Sequence, residues 1–212
     1  MVTRRAAEAP PPFLLRGPSD GLCLAFANTR YWRGSPSPTE DLHGPPDLMR
    51  WCESTQMHDA EALQRVRDSW HRSPAEAATT FADAIAIREA IFCIFAAIAA
   101  GGAPPSADLA TLNAALAAAP ERVRLRGTPQ GCVWDAGDAE PAASLLLAPV
   151  LWSAGDLLSG PRLALVRQCA NERCLWLFVD DSKSGNRRWC SMSACGNRAK
   201  AHRHYLRHRR PA

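Results

Sequence analysis

The sequence predicts a mainly α protein in two parts: a helical domain carrying a small β hairpin, and a short module made of a hairpin knuckle and a basic helix. Three observations predict it. Apolar residues recur at helical spacing over most of residues 45–158, and the period changes only near 122–135. The charge changes sign near residue 160: residues 161–212 hold 12 Lys and Arg against 3 Asp and Glu, a net of +9, while the first 160 hold 13 against 18, a net of −5. Four cysteines of the basic part fall in two pairs of identical spacing.

With 212 residues, 47% of them apolar, the chain can bury one core and carry a small extra module. Residues 1–16 contain three consecutive prolines and no periodicity, which predicts a mobile leader. The helical domain is then expected over 17–160 and the basic module over 161–212. In residues 21–29, Leu22, Leu24 and Phe26 alternate with small residues, as in a short strand or buried segment. Residues 33–46 are rich in Gly, Ser and Pro and predict a loop.

Helices follow. Pro45 and Pro46 precede Leu48, Trp51 and Cys52 at helical spacing. Asp59 caps a helix bearing Leu63, Val66 and Trp70. Ser73, Pro74 and Glu76 form a capping box for a helix that stops at Gly101 and Gly102. Ser106 is expected to cap the helix of Leu109, Leu112 and Leu116. Residues 122–126 and 131–135 predict two strands across a turn at 127–130, and 141–158 return to helix.

Cys169 and Cys174 are five positions apart, as are Cys190 and Cys195, with 15 residues between the pairs. Such pairs form two knuckles that complete a tetrahedral, closed zinc site, and this spacing predicts one structural zinc ion. The spacer predicts a strand at 175–179, a turn at 180–186 and a return at 187–189. So short a module has few aliphatics and needs the metal as its core. Trp176, Phe178 and Trp189 are placed to pack round it, and for the two tryptophans this core role is expected ahead of the alternative, stacking on nucleic acid. Cys23, Cys52, Cys93 and Cys132 stand singly among apolar residues and predict buried thiols.

Four thiolates leave a zinc site two net negative charges, which Arg173, Arg187, Arg188, Arg198 and Lys200 can offset. Residues 194–210 predict a helix whose positive end faces Cys190 and Cys195. Arg203, Arg207, Arg209 and Arg210 lie too far along it to neutralise the metal, and a polyanion is the expected partner. Arg198 can reach a phosphate or, equally, the carboxylates of Asp180 and Asp181.

Arg188, Trp189, Cys190, Ser191 and Met192, followed by Cys195, Gly196, Asn197, Arg198 and Lys200, resemble the CGNR zinc finger. Upstream, Cys169, Cys174, Trp176, Leu177, Phe178, Asp180 and Ser182 fit the same pattern. Gly21, Leu22, Leu24, Phe26, Asn28 and Thr29 resemble the opening of the ABATE domain that usually precedes this finger. One residue departs from that opening: Ala25 stands where an acidic residue is expected.

The resemblance implies a bacterial stress-induced transcription regulator. Its finger binds duplex DNA, and its N-terminal domain senses a small molecule or engages a protein partner. Arg188, Asn197, Arg198, Lys200, Arg203 and Arg207 are the residues expected to meet nucleic acid. The alternatives are a zinc-stabilised protein-interaction module and a redox sensor whose thiolates oxidise. No dinucleotide, phosphate-loop, serine-elbow or HExxH motif occurs, so an enzyme is not expected. No secretory or membrane-spanning segment is read, which places the chain in the cytoplasm.

Overall fold

The structure is a computed structural model that describes residues 13–17, 21–129, 131–137 and 143–208. Its centre is α4 (Pro74–Ala99), with Ala84, Ile91, Ile94 and Phe95 buried. From Ile87 on no residue of it is exposed, so that half is covered all round, while Ala75, Ala78, Ala82 and Asp83 leave one side of its first half open. The cover comes from α1 (Leu22–Ala27), α2 (Pro45–Thr55), α3 (Ala60–Arg72), α5 (Ser106–Ala118) and α6 (Ala143–Leu146), while α7 (Ala148–Ser159) packs on α1 and α5. No helix among the described residues is long and apolar enough to cross a membrane.

Local chemistry sets the helix ends. Asp59 Oδ1 accepts the Ala62 amide at 2.6 Å and caps α3. Ser73 Oγ accepts the Glu76 amide at 3.4 Å, but the reciprocal half of the expected box is absent, since the Glu76 carboxylate takes the Ser69 hydroxyl at 3.3 Å. α4 ends in a Schellman turn: Gly101, at φ 80°, donates to Ile98 O and Gly102 to Ala97 O, each at 2.9 Å. Ser106 does not cap α5; it is the first helical residue, after Pro105.

Four other expectations shift. Residues 21–29 contain helix α1, not a strand; its six residues are too few to show a period, and five of them are buried. The 141–158 helix is divided at Leu147 into α6 and α7. The hairpin is β4 (Leu125–Thr128) with β5 (Gly131–Asp135), and Gly127 and Thr128, expected in the turn, belong to the strand, Thr128 opposite Gly131. A third strand, β1 (Leu14–Leu15), pairs with β5, and Phe13 and Leu15 are buried. The leader expected over 1–16 therefore gives up its last four residues to the fold, because Phe13 and Leu15 fill core positions; residues 1–12 lie outside the described residues.

The cysteine-rich part is docked on the helical core. β6 (Val166–Gln168) pairs with β7 (Leu177–Val179), and Val166 and Leu177 are buried in the same core as the helices. This corrects the expected hairpin, in which 187–189 returned along 175–179. Asp180 explains the difference. It is 1% exposed and accepts from Ser182 N at 3.1 Å, Ser182 Oγ at 2.6 Å and Arg187 N at 2.8 Å, so the loop curls on one carboxylate. Those bonds, led by the Ser182 hydroxyl, hold the Asp180 carboxyl below its ordinary range.

Asn28 clasps the two parts together. Its Nδ2 donates to Leu177 O at 2.8 Å and its Oδ1 accepts Leu177 N at 3.0 Å, so one buried amide stands in for a strand neighbour of β7. Nearby, a Cβ on Gly34 would meet Glu172 O at 1.8 Å, a backbone clash that only glycine avoids. Asn28→Ala leaves both Leu177 groups buried and unpaired, and we expect a loss of about 2 kcal/mol in urea unfolding. An unchanged midpoint would show that the clasp adds nothing.

The chain leaving Asn28 also organises buried charge. It forms the ribbon of β2 (Arg30–Tyr31) and β3 (Thr39–Glu40). Arg88 of α4, 1% exposed, grips Glu40 at 2.5 and 2.7 Å, Glu89 at 2.9 Å and Thr29 Oγ1 at 3.3 Å. Arg33 binds Glu89 at 2.6 and 3.1 Å and the carbonyls of Ala27 and Arg30 at 3.0 Å. Every charge in this network has an opposite neighbour, which is the condition for burying it.

Candidate metal centre

The two knuckles bring Cys169, Cys174, Cys190 and Cys195 together with all four Sγ atoms within 4.8 Å of one another. Cys174 and Cys190 are 3.7 Å apart and Cys190 and Cys195 3.8 Å. A tetrahedron with metal–sulfur bonds of about 2.3 Å has edges of roughly 3.8 Å, whereas a disulfide needs about 2.05 Å. The donor set and its spacing fit one structural zinc ion.

Without positive charge, sulfurs this close do not ionise together. Burial, reinforced by the Cys169 charge, pushes the Cys174 thiol up to about 12, and burial with the neighbouring sulfurs raises Cys190 as well. At Cys195 burial also acts upward, but hydrogen bonds from Asn171 and the other thiols outweigh it and lower the value. A dication reverses the balance, so zinc uptake releases protons.

Asn171 sets the first knuckle. Its carbonyl accepts Cys174 N at 2.7 Å, its Oδ1 accepts Arg173 N at 3.1 Å, and its Nδ2 reaches across to Cys195 Sγ at 3.4 Å. Such bonds orient a ligand and tune its charge. In the second knuckle Ser191 Oγ accepts Ala194 N at 3.3 Å, and a wide helical turn over Met192–Gly196 runs into α8 (Asn197–His208). Gly196 has no left-handed φ. Its role is close approach, because a Cβ there would meet Met192 Sδ at 2.6 Å and force that half-exposed side chain aside.

Trp176, Phe178 and Trp189 pack round the cysteines, as their positions predict. Trp32 joins them from the helical domain. It holds φ 53°, and its neighbour Tyr31 meets Trp176 edge-on at 6.2 Å. Nothing in the linear pattern marked Trp32, Tyr31 or Asn171; the Asn28–Thr29 pair was the nearest signal.

The residues expected to meet nucleic acid divide. Arg198 reaches neither carboxylate weighed for it: its guanidinium lies 4.6 Å over Trp32, while Asp180 holds its own loop and Asp181 pairs with Arg162 at 2.7 Å. Arg188 is exposed, 5.5 Å over Trp189, and its carbonyl accepts Ala170 N at 2.9 Å. Arg187 lies 4.6 Å over Phe178 and donates to the carbonyls of Trp189 and Cys190. Asn197 and Lys200 are exposed at the start of α8. Arg203 and Arg207 lie further along that helix, their side chains outside the described ones.

Of the four single cysteines, Cys23 and Cys52 are buried, and burial pushes their thiols to about 11 and about 12. Cys93 is half-buried and Cys132 exposed, which corrects the expectation for both: Cys132 lies in the β4–β5 hairpin opposite Gly127, which has no side chain to cover it. Ala25 is on the exposed side of α1.

The family model ABATE, described as a putative stress-induced transcription regulator, matches residues 20–161. The CGNR zinc finger model matches residues 166–208. A search of curated proteins finds no match. The chain belongs to the ABATE family and carries a CGNR zinc finger after its helical domain.

Proposed function

We propose that the protein is a DNA-binding transcription regulator, with α8 meeting duplex DNA and the helical domain receiving the signal. The observation that carries this reading is the +9 charge of residues 161–212 on a module whose final helix starts at a zinc knuckle. A helix launched from a rigid metal site presents its side chains in fixed register, and a basic face meets phosphates by releasing counterions. The family description, a stress-induced regulator, agrees with it. The zinc is structural in this reading, since four sulfur ligands leave no open position, and the chain has no catalytic role. A protein partner at the helical domain is favoured by edge strand β4 and the residues leading into it, where Leu125 is 56% and Val123, just before the strand, 76% exposed.

The test uses the whole zinc-loaded chain, because Val166 and Leu177 belong to the helical core. Log affinity for duplex DNA is expected to fall with log salt at about −0.9 per phosphate contact. Replacing Arg203 and Arg207 by Ala weakens binding at every sequence and flattens the slope by about two. Zinc-replete protein that fails to bind duplex DNA near roughly 50 mM salt would leave α8 without this role.

A further inference from the structure

A cavity of about 290 Å³ opens where the helical domain meets the finger. Tyr31, Trp32 and Trp176 line it, together with Ser191, Ala194 and three of the four cysteines, all but Cys169. A zinc ion between the four sulfurs would fill only a small part of this volume, and Tyr31, Trp32 and Trp176 line the cavity beside it. Both parts of the chain build the cavity, and neither has it alone.

The platform is fixed. Tyr31 ends strand β2, whose partner β3 carries Glu40, held by Arg88. Arg33 ties the next turn to α4 through Glu89. On the far side Gly34 lets the Glu172 backbone close against the same turn. Three large rings are thus held half-buried at a mouth rather than folded into the core. Stacking surfaces pre-arranged in this way bind planar groups without an ordering cost.

Charge narrows the guest. Among the described residues no acidic side chain lines the cavity. Arg198 sits 4.6 Å from the Trp32 ring and is not itself a lining residue, so Trp32 stays open to the cavity. Arg188 lies over Trp189, next to Cys190. A cationic guest meets these arginines unfavourably, whereas a planar ring carrying a phosphate satisfies both the aromatic walls and the basic rim. We propose that this cavity is a nucleotide site, in which Tyr31, Trp32 and Trp176 stack a nucleobase and Arg198 holds its phosphate. The base comes from a free nucleotide or from an unpaired position in DNA; the second source rests on the DNA-binding reading above. Ser191 in the lining offers a hydroxyl to a base edge.

The test measures affinity of the zinc-loaded full chain for an intact duplex, the same duplex with one unpaired adenine, and the same duplex with an abasic residue there. Deoxyadenosine monophosphate is titrated separately, read by tryptophan fluorescence. The unpaired adenine is expected to bind about tenfold more tightly than the abasic form. Trp32→Ala and Tyr31→Ala remove most of that gain, Trp32→Phe keeps it, and zinc content stays at one per chain in all three. Equal binding of the adenine and abasic forms, with no response to the mononucleotide, overturns the nucleotide site and leaves the duplex reading standing. A fluorescence response to the mononucleotide that Trp32→Ala abolishes, without any duplex binding, supports the site and removes the duplex reading instead.

Discussion

Cys195→Ser protein is expected to hold less than half an equivalent of zinc and to lose the order of residues 180–208, while α1 to α7 stay helical. The finger's own buried set is Cys169, Cys174, Phe178 and Cys195. Three of these four residues are ligands, so the module has almost no core apart from its metal. Structural zinc contributes on the order of 10 kcal/mol in small fingers, far more than one buried phenylalanine. The helical domain keeps its own large core, to which the basic module lends, among the described residues, Leu163, Val166, Leu177 and Val179. Metal analysis and limited proteolysis check this, with new cuts expected between residues 182 and 208. Full zinc content, or a protease pattern like that of the unmodified chain, would contradict it.

Arg88→Met is expected to cost about 3–5 kcal/mol, because it leaves Glu40 beside a buried apolar side chain with its main counter-charge gone and takes one of the two arginine partners from Glu89, which keeps Arg33. The volume is nearly kept, so the loss reports charge rather than a cavity. Acid supplies a second readout. Burial pushes the Glu40 and Glu89 carboxyls up, but Arg88 at Glu40 and Arg33 at Glu89 outweigh it and hold both below their ordinary value. A depressed carboxyl stabilises the fold above its unfolded pKa, and that stability is lost as pH falls through the folded one. The unmodified protein should therefore lose this stabilisation in acid, below about pH 4.5, and Arg88→Met should lose less of it. His58, which burial holds down at about 4, adds an acid-side loss common to both proteins. Urea midpoints at pH 7 and pH 4 measure the difference; equal midpoints at pH 7 would show that the network is neutral.

Long periodic segments were legible in the sequence. The helices from Pro45 to Ala99, with their Asp59 and Ser73 caps and the Gly101 stop, follow from rules that act within one turn. The zinc ligands were legible too, because a closed site demands four matching donors and only these cysteines are paired. Pairings across the chain were not. β6 precedes the first knuckle and carries no turn signal, so nothing local distinguished it from residues 187–189 as the partner of β7. Trp32 is an aromatic residue in a Gly- and Ser-rich loop, and its place beside the zinc depends on Gly34 and on the Arg33 anchor, neither of which has a sequence pattern.

The Asn28 clasp joins residues separated by 149 positions. A contact of that span closes late, since the chain entropy of a long loop is lost before the contact returns any stability. During synthesis the α1 surface is complete long before Leu177 leaves the ribosome. Val166 and Leu177, which share its core, arrive with the first pair of zinc ligands, Cys169 and Cys174. Maturation of the helical domain and capture of the metal therefore fall in the same interval. Until then α1 and the ribbon behind it wait with one side uncovered.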